Sequence, residues 1–187
     1  MSKSIDINKQ GLLEQARQVV SPNQDARPEE AAINLLVIHG ISLPPDEYGG
    51  PYIEQLFCNK LNPAEHPYFA EISHLRVSSH LLIRRDGELV QFVPLTRRAW
   101  HAGQSSFDGA DKCNDFAIGI ELEGTDSDPY TDAQYAVLGE VSQAIMMQFP
   151  QISSERICGH CDIAPGRKTD PGNSFDWPRY RALLDKL

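Results

Sequence analysis

Apolar residues along the chain fall into short, distinct patterns separated by turn residues. Leu12, Leu13, Ala16, Val19 and Val20 recur at helical spacing, which predicts an opening helix over about residues 8–20, ended by Ser21-Pro22. Residues 34–38 (NLLVI) form a β-prone run with no polar alternation, as expected of a strand buried on both faces, and the run closes at His39-Gly40. A Pro/Gly-rich loop, ISLPPDEYGGPY, leads to a short helical pattern with Ile53, Leu56 and Phe57, then to a second irregular stretch around His66-Pro67. Loops of this length in a compact domain suggest a binding rim, with Tyr48, Tyr52, Tyr68 and Phe69 as its aromatic candidates.

The clearest local signal is HLLIRRDGELVQFVP, two β-prone runs around Asp86-Gly87, a pair that favours a type I′ hairpin turn. Residues 116–123 (FAIGIELE) alternate, so that Ile118, Ile120 and Leu122 share one face of a strand while Ala117, Gly119, Glu121 and Glu123 share the other. Thr131 with Gln134 makes a capping box for an amphipathic helix carrying Val137, Leu138, Val141, Ile145 and Phe149, stopped by Pro150. A short strand at 156–158 follows, and Asp176 with Pro178 opens a terminal helix running through Leu187. Helices interleaved with strands that include a hairpin predict an α/β fold, a central mixed β-sheet flanked by α-helices.

Length and charge narrow what such a fold could do. The chain has 187 residues, 41% of them hydrophobic, enough for one domain over 1–187 with its core in about 20–187. There are 17 Lys and Arg against 26 Asp and Glu, a net charge of −9, which disfavours nucleic acid and anionic membrane surfaces as partners. No apolar run approaches the roughly 18 residues of a membrane helix, and charged residues interrupt any signal-peptide core near the N-terminus, so a cytoplasmic location is expected. The four cysteines (Cys58, Cys113, Cys158, Cys161) are too few and too irregular for a disulfide scaffold, and are expected to be free thiols.

Two groups of residues carry candidate chemistry. Cys158-Gly159-His160-Cys161 has redox spacing, but only a loop and one helix remain after it, and Cys58 and Cys113 are isolated, so neither a thioredoxin-like pair nor a four-cysteine zinc site fits; the two cysteines are expected to pack around His160. Of the six histidines, His39 ends a buried strand, where α/β sheets place reactive groups, and His160 repeats that arrangement after the strand at 156–158. Asp170 follows in the rigid KTDPG loop. Two imidazoles and a carboxylate would leave a fourth position open on Zn²⁺, the hydrolytic arrangement, although other histidine combinations satisfy the same spacing. Glu121 is a candidate proton acceptor if its face of the strand lines a cleft, and Lys168, two residues before Asp170, is a candidate oxyanion partner; the alternatives are a solvated strand face and an exposed loop lysine.

LLVIHGISLPP, HLLIRRDGELVQFVP, RAWHAG, CNDFAIGIELEGTD and GHCDIAPGRKTDPG, in this order and at these separations, resemble the zinc-dependent N-acetylmuramoyl-L-alanine amidases, and within them the cytosolic AmpD type, the 1,6-anhydro-N-acetylmuramyl-L-alanine amidases of cell-wall recycling. The resemblance covers nearly the whole chain. It implies the fold shared with peptidoglycan recognition proteins, Zn²⁺ on His39, His160 and Asp170, a catalytic pair in Glu121 and Lys168, and a muropeptide groove lined by Arg76, Trp100 and Lys112. The expected partner is a small anhydromuropeptide and the expected assembly a monomer. Two positions depart from the family pattern: Gly40 stands where Asn is familiar, and Lys112 where Arg is, which would weaken a bidentate grip on a carboxylate to a point charge.

The activity so implied is hydrolysis of the amide between the lactyl group of a muramic sugar and L-alanine. The rivals are an exported, broad-specificity peptidoglycan amidase and a non-catalytic muropeptide-binding protein. The first would need export and wall targeting, and the second would be expected to have lost zinc ligands that are all present here.

Overall fold

In a computed structural model of the chain, which describes residues 5–185, the order of elements is β1 (Arg17–Gln18), β2 (Gln24–Asp25), β3 (Leu35–Ile41), α1 (Tyr52–Phe57), α2 (Pro67–Ile72), β4 (Leu81–Ile83), β5 (Leu89–Gln91), β6 (Arg98–Ala99), β7 (Ser106–Phe107), β8 (Ala110–Asp111), β9 (Ala117–Glu123), α3 (Asp132–Gln148), β10 (Ile157–Gly159), α4 (His160–Ile163) and α5 (Trp177–Leu184). Six strands form the central sheet in the order β1-β5-β4-β9-β3-β10. All neighbours run parallel except β4 and β5, the hairpin pair, so the sheet is mixed, as the sequence predicts. No helix among the described residues is long and apolar enough to cross a membrane.

Strand alternation sorts the core into two layers. Leu36, Ile38, Ile118, Ile120 and Leu122 pack against Leu138, Val141 and Ile145 of α3 and Tyr180 and Leu184 of α5. On the opposite face Leu82 and Val90 meet Ile53, Leu56 and Phe57 of α1 and Phe69 of α2, while Leu35, Val37 and Ala117 meet Cys158 and Ile163. His39 and Glu121 continue the alternation of Val37 and Gly119, so both belong to this second face.

Several local expectations need correction. Residues 8–20 are not helical: Asn8 Oδ1 accepts from the backbone N–H of Gln10 and Leu12, Gly11 takes a left-handed φ of 82°, and Arg17–Gln18 pairs in parallel with β5 instead. The apparent helical stripe splits, with Leu13 and Ala16 buried and Val20 exposed, because the segment completes a sheet edge rather than presenting one face. Asp86 keeps a negative φ and only Gly87 is left-handed, at 89°, with its N–H donating to the Arg84 carbonyl; the hairpin therefore turns through a longer loop with Gly at the left-handed position, not a type I′ pair. The stretch around His66 is irregular only up to Pro67, which starts α2 while His66 Nδ1 accepts from the N–H of Tyr68 as its cap. Of the four rim aromatics, Tyr68 lines the cleft, whereas Phe69 and Tyr52 pack into the core and Tyr48 stacks under Arg85. The strand beginning at Leu35 also runs on through His39 to Ile41, and the terminal helix ends at Leu184, with Leu187 outside the described residues.

The capping box forms as expected and does more than start a helix. Thr131 Oγ1 accepts from the Gln134 N–H at 3.1 Å and donates to the Arg85 carbonyl at 2.7 Å, while Gln134 Nε2 donates to the carbonyls of Ile83 and Glu123. It thereby ties α3 to the hairpin and to the end of β9. Thr131→Ala is expected to lower the unfolding free energy by about 1–2 kcal/mol, read from urea melts; an unchanged midpoint would show that the cap holds nothing.

Candidate active site

Three parallel strands end side by side and deliver the site. The register of β3 on β9 sets His39 opposite Glu121, and β10 pairs Gly159 with Ile38, so the next residue, His160, arrives level with His39. Asp170 comes from the loop after α4, held by the Cys161 N–H donating to its own carbonyl and by Tyr130 Oη donating to the Pro171 carbonyl at 2.9 Å. The loop turns back through Gly172, φ 81°, where a Cβ would lie 2.1 Å from the Asp126 backbone, so no larger residue fits.

The donor atoms converge. His39 Nδ1 and His160 Nδ1 lie 3.0 Å apart, and Asp170 Oδ2 is 3.3 Å from the first and 3.1 Å from the second. A tetrahedral Zn²⁺ with bonds of about 2.0–2.1 Å would hold its ligand atoms roughly 3.3 Å apart, so the set fits that ion. The tautomers fit too. His160 Nε2 faces the Ala102 carbonyl at 3.2 Å, which can only accept, so the tautomer with its proton on Nε2 has a partner there and leaves the Nδ1 lone pair for the centre. Burial pushes His39 down to about 4, with the neighbouring Asp170 opposing, so its ring is neutral and able to ligate at neutral pH. Burial would raise Asp170, but His160 and His39 beside it outweigh this and hold it well below the ordinary carboxylate range.

Glu121 is buried beside these groups, not solvated. Its carboxyl is raised well above the ordinary range, first by burial and then by Asp170, with Lys168 opposing, and Oε2 has no hydrogen-bond partner. Two carboxyl groups beside the imidazoles of His39 and His160 form an arrangement that a bound cation would balance.

The cluster floors a cleft of about 290 Å³ whose other wall is apolar, built from Leu43, Leu56, Phe57 and Ile72. Trp100 lines it, its Nε1–H donating to Asp25 Oδ1, and Asp25 in turn accepts from Arg98. Lys168 lines it too, exposed. Arg76 and Lys112, the other two expected substrate contacts, are not among the cleft-lining residues. The Arg76 guanidinium bonds back to the carbonyls of His74 and Leu75 at the end of α2, and Lys112, φ 60°, follows the β7–β8 hairpin. Gly40 acquires a packing reason: a Cβ there would lie 2.4 Å from Tyr130 Oη.

Within CGHC, His160 belongs to the donor cluster and the two cysteines are not paired. Burial pushes the Cys158 thiol up to about 12, which removes its nucleophile, and all four cysteines are free. Of the remaining histidines, His66 caps α2, His74 is exposed, and His80 is a buried core residue, its Nδ1 accepting from the Gly119 N–H and its Nε2 facing the Arg97 carbonyl. His101 and Tyr130 are site residues that motif reading left without a role. His101 sits on no long strand; the one local signal for it was Gly119, which leaves room for its ring on the cleft face of β9.

A family profile described as N-acetylmuramoyl-L-alanine amidase (Amidase_2) matches residues 29–173. The chain is 59% identical over 175 residues to the 1,6-anhydro-N-acetylmuramyl-L-alanine amidase AmpD of Citrobacter freundii, covering 94% of this chain and 93% of that protein. It is 58% identical over 177 residues to AmpD of Escherichia coli K12, covering 95% and 96%. A crystal structure of a Se-Met AmpD derivative superposes with a TM-score of 0.93 at 57% identity, covering 96% of this chain and 99% of that one. The E. coli amidase AmiD, in complex with the substrate anhydro-N-acetylmuramic acid-L-Ala-D-gamma-Glu-L-Lys, superposes with a TM-score of 0.60 at 28% identity, over 97% of this chain and 66% of that one.

The buried histidines make acid stability a test of this geometry. Burial pushes His80 down to about 3 and His39 to about 4, whereas in the unfolded chain both titrate near 6.5. Between those values the unfolded state binds more protons than the folded one, so stability is fully present above about pH 6.5 and is lost as pH falls toward 3. Urea melts of the metal-free protein should show midpoints dropping steadily from pH 6.5 to 4.5; flat midpoints over that window would contradict neutral, buried rings.

Proposed function

The chain belongs to the N-acetylmuramoyl-L-alanine amidase family, and on that premise we propose that it hydrolyses the amide between the lactyl group of 1,6-anhydro-N-acetylmuramic acid and the L-alanine of a stem peptide, with Zn²⁺ held by His39, His160 and Asp170. The observation that carries this reading is the convergence of those three donor atoms within 3.0–3.3 Å of one another at the floor of a cleft. The choice of the anhydro sugar draws support from relatives bearing that activity in their names at 58–59% identity over more than nine-tenths of this chain.

Zn²⁺ at this centre would polarise the scissile carbonyl, acidify the attacking water and favour the ionised form of Glu121 by its charge. Glu121 supplies the base: its unpaired Oε2 takes a proton from the water, and the same carboxyl returns it to the leaving nitrogen of L-alanine. Burial raises its proton affinity, which suits a group that must hold that proton between the two transfers. Lys168, at the cleft, offers an ammonium to the oxygen on which negative charge develops. Trp100 gives the sugar a flat apolar wall, oriented by its hydrogen bond to Asp25. The apolar side of the cleft then takes the non-ionic part of the substrate, while the charged groups are gathered at the reacting bond.

Mass spectrometry of products formed from anhydromuropeptide and from intact sacculi, with and without a chelator, tests the reading. The expected outcome is release of a stem peptide beginning with L-alanine from the soluble anhydro substrate, lost on chelation and restored by zinc. Equal turnover of sacculi would favour the broad-specificity amidase instead. Glu121→Ala should lower turnover about 10²–10⁴-fold with zinc content unchanged, and full activity in that variant would remove the base assignment. Lys168→Ala should lower turnover about 10²–10³-fold, again without loss of metal.

A further inference from the structure

We propose that His101 is a positioning residue for the metal-facing histidines, and that the 101–102 segment, pinned by Asn114, orients both of them. The proposal rests on the zinc reading of His39, His160 and Asp170.

For His39 to present the lone pair of Nδ1 to the centre, the single proton of its neutral ring must sit on Nε2. That N–H points into the protein, away from water, and needs an acceptor there. His101 Nδ1 lies 2.9 Å from it, with the two rings perpendicular and their centroids 5.0 Å apart. The outward N–H of His160 has the same need, and the Ala102 carbonyl meets it at 3.2 Å. Two consecutive residues therefore receive the outward protons of both histidines, one by its side chain and the next by its backbone.

The segment is itself held in place. Asn114 Oδ1 accepts from the N–H of His101 at 3.0 Å and from the N–H of Ala102 at 2.8 Å. Arg167 donates to the same Ala102 carbonyl at 2.7 Å. The His101 ring lies flat over Gly119, where a Cβ would come within 2.6 Å of its Cγ and Nδ1, so β9 carries a bare backbone at the one point where this ring must pass. His101 also lines the cleft, and accepting at Nδ1 places its own proton on Nε2, a buried atom with no hydrogen-bond partner among the described residues. Its role is to keep the ring of His39 from swinging its Nδ1 off the centre.

The test compares wild type with His101→Ala, His101→Gln and His39→Ala, measuring zinc dissociation constants by competition with a chromophoric chelator and visible spectra of the Co²⁺ forms. His101→Ala is expected to bind zinc about 10- to 100-fold more weakly, with an altered Co²⁺ spectrum. His101→Gln, whose Oε1 can accept the same proton, should recover much of the loss, which a packing role alone would not produce. Wild-type affinity in His101→Ala, or no recovery in His101→Gln, would overturn the assignment. Wild-type zinc binding no tighter than that of His39→Ala would overturn the zinc reading itself, and this proposal with it. Should His101→Ala fail to fold, nitrogen-15 NMR of the zinc-loaded wild type decides the matter: protons are expected on Nε2 of both His39 and His101, and a proton on His101 Nδ1 would overturn the proposal.

Discussion

The parallel pairing of β3 with β9 on one side and β10 on the other is the constraint on which the site depends. Parallel strands bring their carboxyl ends to one edge of the sheet, and the register then decides which residues meet there. With His39 opposite Glu121 and His160 one residue past the partner of Ile38, three chemical groups far apart in sequence become neighbours without any local motif joining them. A slip of one residue in either pair would turn a site group toward α3 and α5 and bring an apolar side chain into the cleft. The burial of both sheet faces is therefore what specifies the site, because the same hydrophobic contacts that fold the chain forbid the slip.

Around that edge the protein concentrates charge in a small, poorly solvated volume. Glu121 and Asp170 are pushed in opposite directions by the same surroundings, one raised by burial and a neighbouring carboxylate, the other held down by two histidines. A chain of net charge −9 has to meet an acidic muropeptide with locally placed positive charge. Of the side chains considered for that task, Lys168 lines the cleft, while the Arg76 guanidinium is engaged by its own helix end and Lys112 lies outside the lining. In the proposed reading, positive charge at the reacting bond would come from Lys168 and from a cation that His39, His160 and Asp170 could hold.

The supports of the site are less conspicuous than its reacting groups and just as specific. Tyr130 reaches across the bare backbones of Gly40 and Gly124 to hold the Pro171 carbonyl, so the loop of Asp170 is braced against the strands that carry His39 and Glu121. His101 and Asn114 do the corresponding work on the other side. In both cases a glycine on a central strand makes room for a ring, which gives these glycines a packing role.

Much of this was legible in the amino-acid order. The alternation of 116–123, the capping box at Thr131, the hairpin around Gly87 and the apolar run before His39 all state their structure locally, since strand and helix periods act over a few residues. The motifs likewise named His39, Glu121, His160, Lys168 and Asp170 as the groups to watch. Where local reading failed, a longer-range partner had won: residues 8–20 carry a helical stripe, but the hydrogen bonds offered by β5 and by Gln91 draw the segment to the sheet edge. Only the tertiary structure could gather the donors within 3.3 Å, leave Arg76 and Lys112 off the cleft lining, and bring His101 against His39. The physical reason is common to all of these: side-chain identity is written along the chain, but which groups share a desolvated pocket is set by strand order and register, and those are decided by how the whole core closes.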